Sequence, residues 1–204
     1  MGLGGWLIAG ALAELAERTR AFRIPAIESW RRFVGLPRGA WGMTLAHLGL
    51  GVFVLGAVFE TAWKIEAAEA VPIGGGVNVG EYSVRLDDVQ PVQGPNYDAD
   101  RGALTITRAG RQVCQVAPER RLYLAGGQTT SEVGLCYQGL SHVYVVLGER
   151  RGSAASPTFL VRAYWNPWAS LIFAGPVLMG LGGLISLSDR RLRLGVGRRK
   201  EQPA

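Results

Sequence analysis

The sequence predicts a membrane α-helical protein with an inserted all-β domain, either a small barrel or a sandwich. Three observations predict it. Two long runs carry no formal charge: 21 residues between Arg38 and Glu60 and 26 between Arg162 and Asp189. Arginine clusters lie outside each run, at Arg18–Arg38 and Arg190–Lys200. Between the runs, Ile65–Trp165 is near neutral, with 9 Arg against 10 Asp+Glu, and alternates apolar and polar residues. Of the 204 residues 48% are hydrophobic, which excludes a disordered tail, and a mean hydropathy of +0.14 is high for a soluble domain. The +6 charge and pI near 9.8 do not point to nucleic acid, because the basic residues flank the apolar runs instead of forming a patch on the β block.

Residues 1–17 open with Met1–Ala13, apolar but too short to span, and then meet Glu14 and Glu17. There is no basic start and no small-residue cleavage site, so a secretory signal does not fit. The segment reads as part of a membrane helix, or as a helix lying in the interface. Residues 18–40 read as a basic cytoplasmic loop carrying Arg18, Arg20, Arg23, Arg31, Arg32 and Arg38. Residues 41–63 form the first span, since about 20 apolar residues cross a ~30 Å hydrocarbon core. Trp41 and Trp63 bracket it at interfacial positions.

Residues 65–165 follow on the far side of the bilayer. Tyr82, Val84 and Leu86 alternate with polar neighbours, and Leu104–Thr107 and Val113–Val116 flank a hairpin signal at Ala109-Gly110. Tyr144–Leu147 and Phe159–Val161 add two runs. Gly74-Gly75-Gly76, Gly94-Pro95-Asn96 and Arg151-Gly152-Ser153 read as turns or loops, for five to seven short strands in all. The Gly triplet lacks the Lys-Ser/Thr of a phosphate loop. Residues 167–187, introduced by Trp165 and Trp168, form the second span, and 188–204 a basic cytoplasmic tail with Arg190, Arg191, Arg193, Arg198, Arg199 and Lys200. Both basic ends stay on the cytoplasmic side.

His47 is the candidate for chemistry. It is the only titratable group between Arg38 and Glu60, and an imidazole at that depth is costly without a partner. Helical spacing puts Met43, Leu50, Gly51 and Val54 on its face; Gly51 leaves room beside the ring, while Gly42 and Ala46 suit close helix packing. Neutral imidazole is a common axial ligand of haem iron, and a histidine bonded to a neighbouring helix is the other reading. Glu60 reads as an interfacial carboxylate reaching water, with a proton or substrate role as the other reading, and His142 as a surface histidine with no second histidine for a metal site. Cys114 and Cys136 leave open a disulfide or two thiols. No Ser/His/Asp arrangement, paired carboxylates or Cys-x-x-Cys can be assembled.

Seven stretches in order resemble the C-terminal part of the CcmF family, the large inner-membrane component of bacterial cytochrome c maturation. They are Trp41–Gly49, Gly94-Pro95-Asn96-Tyr97, Pro118–Tyr123, Tyr144–Glu149, Val161–Pro167, Leu178–Gly183 and Ser188-Asp189-Arg190-Arg191. The resemblance implies a haem lyase role: such proteins take haem from a periplasmic haem chaperone and attach it to the thiols of apocytochrome c. It also implies a haem b within the membrane held by two histidines, one of which matches His47 as an axial ligand of the haem iron. Bis-histidine ligation suits electron transfer. The family's Trp-rich haem-handling segment, its periplasmic histidines and the second haem ligand have no counterpart here. The chain is therefore expected to be a fragment or split-gene product that works with the N-terminal remainder of the haem lyase, in the bacterial inner membrane with the β domain in the periplasm. Where the family has Met-Thr-Glu-Ala and an Asp, this chain has Thr130-Ser131-Glu132-Val133 and His142.

Two functions follow as expectations. The first is a component of the haem lyase that contributes a ligand to a membrane haem and is incomplete as a lone enzyme. The alternative is a non-catalytic, membrane-anchored β domain that binds a periplasmic partner or assembles a complex.

Overall fold

A computed structural model describes residues 1–153 and 156–189, so the basic tail from Arg190 onward lies outside the described residues. The chain divides into a helical unit, Met1–Val58 with the segment from Leu171 on, and a β unit, Phe59–Ser170.

In the helical unit, α1 (Gly2–Thr19) ends at Arg20, whose left-handed backbone (φ 53°) lets the Ala21 amide donate to the Ala16 carbonyl at 2.9 Å. The expected loop at 18–40 is not all loop. It contains α2 (Ala26–Val34), which starts after Pro25 and keeps a helical apolar period that a count of its arginines hides. α3 (Arg38–Ala62) is 25 residues long and starts three residues before the expected 41. α4 (Ser170–Leu187) starts three residues later than the expected 167, because the last strand continues through Asn166. Trp165 therefore lies in the sheet, opposite Val143 and Ile65, and does not introduce the helix.

α3 and α4 are both long and apolar enough to cross a membrane. Six residues of α3 are buried, namely Ala40, Gly42, Thr44, Gly49, Gly51 and Gly56, and all are small. The large apolar groups of α4, including Phe173, Val177, Leu184 and Leu187, face outward. Small residues inside and large apolar ones outside is the arrangement that suits helices surrounded by lipid. Gly42, Gly49 and Gly56, seven residues apart, meet Gly182, Gly175 and the Leu171–Ile172 backbone of α4 respectively.

The β unit is a sandwich, which resolves the choice between sandwich and barrel. It has ten strands where five to seven were expected. They are β1 (Ile65–Pro72), β2 (Gly76–Val79), β3 (Tyr82–Gln93), β4 (Tyr97–Arg108), β5 (Arg111–Val116), β6 (Glu119–Tyr123), β7 (Thr129–Glu132), β8 (Gly134–Gln138), β9 (Ser141–Ser153) and β10 (Ser156–Asn166). One sheet has the order β1-β10-β9-β8; the other runs β2-β3-β4-β6-β7, with β5 also paired to β4. Period-two alternation sends Val77, Val79, Tyr82, Val84, Leu86, Ile106, Val143, Val145, Leu147 and Val161 into one core. The expected hairpin is a two-residue turn in which both Ala109 (φ 49°) and Gly110 (φ 74°) are left-handed, matching the strands' twist. Arg151-Gly152-Ser153, expected as a turn or loop, is the end of β9 and pairs with β10. A disulfide joins Cys114 on β5 to Cys136 on β8, with Cα atoms 6.0 Å apart, and so links the two sheets.

Candidate functional site

At about 100° per residue, the glycine seam of α3 faces α4 and His47 projects from nearly the opposite face. There His47 is exposed and shares an open cleft of about 310 Å³ with Trp6, Leu7, Gly10, Ala11 and Glu14 of α1. Its imidazole makes no hydrogen bond or ion pair among the described residues. The expected space at Gly51 is not free: a Cβ there would lie 2.5 Å from Ile8 Cγ1 and 3.2 Å from the Gly4 carbonyl oxygen. Gly51 thus serves the close approach of α1, and Gly42 and Ala46 serve that of α4. Glu14, half-buried in the cleft, accepts from Arg18 Nη2 at 2.7 Å. An imidazole without a partner, in a cleft with mainly apolar walls, is a donor that would suit a metal-bearing cofactor such as haem. Among the described residues no three His, Cys, Asp or Glu side chains come together as a metal site.

In the β unit, three polar arrangements stand out. The first joins two of the stretches quoted above. β4 and β6 pair Tyr97 with Tyr123 and Arg101 with Glu119. Glu119 is 5% exposed and accepts from Arg101 Nε at 2.5 Å and Arg121 Nε at 2.8 Å. Arg121 also lies 4.5 Å over the Tyr97 ring and 3.3 Å from Glu132. The hydrogen bond from Arg121 holds the Glu119 carboxyl below its usual range despite burial. Glu119 locks two strands together. Glu119→Ala is expected to lower stability by about 2 kcal/mol, the order of hydrogen bonds to a charged group, read as a lower denaturant midpoint.

The second arrangement corrects the reading of His142 as a surface residue. The register sets it opposite Asn166, whose Nδ2 lies 2.9 Å from His142 Nε2. Asn166 is 5% exposed, and its Oδ1 and the shielded Glu60 Oε2 have no hydrogen-bond partner. Glu60 therefore does not simply reach water. Burial pushes the His142 imidazole below 6.5, and the Glu60 charge opposes this more weakly. With the folded value depressed, the unfolded chain binds more protons just below pH 6.5. Stability is then complete above that pH and is lost as pH falls through the window beneath it. Denaturant midpoints of the β unit should decline between about pH 7 and 5, and His142→Gln should flatten that slope while leaving the carboxylate-dependent loss at lower pH.

The third is an open groove of about 560 Å³ on the six-strand sheet, lined by Arg85, Asp87, Thr105, Gln112 and Gln115 among others. Thr105 Oγ1 donates to Asp87 at 2.6 Å and Arg85 Nε donates at 2.7 Å. Burial alone would raise the Asp87 carboxyl, and these donors outweigh it and lower it. Arg85, Asp87 and Thr105 thus satisfy one another within the groove. Glu119, Asn166 and α2 were not anticipated as site elements; for Asn166 the only signal was its place between Trp165 and Pro167, inside a quoted stretch.

Helices with the length and composition of membrane spans, carrying an inserted disulfide-linked β-sandwich and one unpartnered imidazole, define a class of helix-anchored sandwich proteins. The family model "CcmF C-terminal beta-sandwich" matches residues 62–167. Cytochrome c-type biogenesis protein CycK of Rhizobium meliloti is 42% identical over 96% of this chain and 28% of its own length. Cytochrome c-type biogenesis protein ccl1 of Rhodobacter capsulatus is 35% identical over 98% of this chain and 29% of its own length. Among solved structures, Cytochrome c Heme Lyase CcmF has the same fold, with a TM-score of 0.67 at 16% identity over 92% of this chain and 29% of that one. The chain belongs to the CcmF family and carries its C-terminal β-sandwich. It spans under a third of the length of the curated relatives it matches.

Proposed function

We propose that this chain is the C-terminal portion of a cytochrome c haem lyase, supplying His47 to a haem b inside the inner membrane. The observation that carries the reading is the His47 imidazole, unpartnered in the uncharged stretch of α3 between Arg38 and Glu60, in a chain of this family. The relatives' names, cytochrome c-type biogenesis protein and Heme Lyase, support the reaction class.

In this reading α3 and α4 cross the bilayer, the sandwich lies in the periplasm, and the arginines before α3 stay cytoplasmic. The glycine seam fixes α3 against α4 and Gly51 fixes it against α1, and together they fix the height and direction of His47. Trp6, Leu7 and Ala11 give the cleft beside the imidazole mainly apolar walls. Bound there, a haem supplies one-electron chemistry. His47 would hold the haem together with a residue of the N-terminal remainder, since this chain's other histidine, His142, is bonded to Asn166 in the sandwich. The periplasmic haem chaperone and apocytochrome c are the partners to which the sandwich would present its surface.

In cells whose haem lyase lacks this portion, co-expressing the chain should restore covalent haem on c-type cytochromes. His47→Ala should reduce that restoration roughly tenfold or more, the order expected when a metal site loses a supporting group. Full restoration by the variant would overturn the ligand role.

A further inference from the structure

None of α2 is buried, yet its residues are not arranged at random. At about 100° per residue, Ala26, Ile27, Trp30, Phe33 and Val34 share an arc of about 120°, and Glu28, Ser29, Arg31 and Arg32 share the rest. Ile27, Trp30 and Val34 are 63%, 60% and 65% exposed. Just before the helix, Phe22 is held fully exposed with a left-handed backbone (φ 65°), a conformation costly for a bulky residue. An open cleft of about 420 Å³, lined mainly by apolar groups such as Phe22, Ile24, Trp30 and Phe33, separates this turn from α2.

Two observations say what covers this face. Trp30 stacks on Phe33 at 5.3 Å, and Phe33 meets Trp41 edge-on at 4.5 Å. Trp41 is in the first turn of α3, so the apolar face of α2 continues into the start of an apolar span, at the level where aromatic side chains favour the membrane interface. Beside that face, Arg20, Arg23, Arg31 and Arg32 form no ion pair among the described residues. An apolar stripe continuous with a span and bordered by unpaired guanidinium groups complements an anionic phospholipid: acyl chains against the stripe, phosphates against the arginines.

We infer that α2 and the turn before it form an interfacial anchor that binds anionic phospholipid on the arginine-rich side of the membrane. The inference rests on the proposed membrane placement of α3. It makes lipid composition a determinant of how firmly the α1–α3 connection, and with it the floor of the His47 helix, is held.

The test is amide hydrogen exchange of the whole chain in nanodiscs of phosphatidylcholine, with and without phosphatidylglycerol, following α2 and α3 together. Phosphatidylglycerol should slow exchange in α2, and Arg31→Gln with Arg32→Gln should reverse this by about fivefold per arginine, as expected for one basic residue near an anionic surface. Ile27→Asp with Val34→Asp, at positions that touch no core, should remove α2 protection in both lipids. Protection of α2 that is equal in both lipids and in detergent overturns the inference in favour of a covering protein. If α3 also exchanges freely in the discs, the spanning reading falls and this one with it; free exchange confined to α2 overturns only the anchor.

Discussion

Gly49→Val is expected to pull α3 away from α4 and prevent the helical unit from closing. A Cβ at Gly49 would lie 2.7 Å from both the Gly175 carbonyl oxygen and the Met179 amide nitrogen, and 2.9 Å from Leu178 Cβ. These are backbone or near-backbone atoms, so no flexible side chain can give way. Overpacking of this kind costs about 1–3 kcal/mol even where a core can adjust, and Val should reach the upper end. Gly180→Val and Gly183→Val are the matched controls, since a Cβ at either position meets nothing within 4 Å. Unfolding of the chain in micelles, followed by helical circular dichroism, should show the loss for Gly49→Val alone. The same variant should disturb His47 without touching it, because the seam sets the position of its helix.

The second large effect belongs to the sandwich. Cys114→Ser with Cys136→Ser removes the only covalent link between the sheets seen among the described residues, across a sequence separation of 22. Loop-closure entropy for that separation makes the linked form more stable by about 3 kcal/mol. The denaturant midpoint of the oxidised chain should fall by that amount in the double variant. Reductant should produce the same fall in the unsubstituted chain and none in the variant. A variant as stable as the oxidised chain would mean that the core, with Tyr82, Leu86 and Leu147 fully buried, holds the sheets together without the bond.

Much of the architecture was legible because its signals are local. Alternation at Tyr82, Val84 and Leu86 marks a strand wherever its partner lies, and Ala109-Gly110 closes a hairpin between neighbours in sequence. Of the strands that escaped notice, β2 and β8 alternate but are only four and five residues long, and β1, β6 and β7 lack the alternation. β1 buries only Val71 of its eight residues, and β7 buries none, because each lies at a sheet edge. β6 turns a charged residue inward, Glu119, which periodicity counts as outward. The pairing of Cys114 with Cys136 and of His142 with Asn166 depends on how distant strands stack and register, which no window of sequence contains. At His47 the sequence shows the depth of an imidazole in an apolar run. It does not show that Ile8 fills the space at Gly51, since that contact requires α1 to fold back on α3.

The measurement that bears most directly on the His47 proposal is the visible spectrum of this chain purified together with the N-terminal remainder of the haem lyase. The account predicts a b-type spectrum that His47→Ala abolishes, that His142→Ala leaves intact, and that imidazole added to His47→Gly restores. A b-type spectrum undiminished in a folded His47→Ala protein would contradict it.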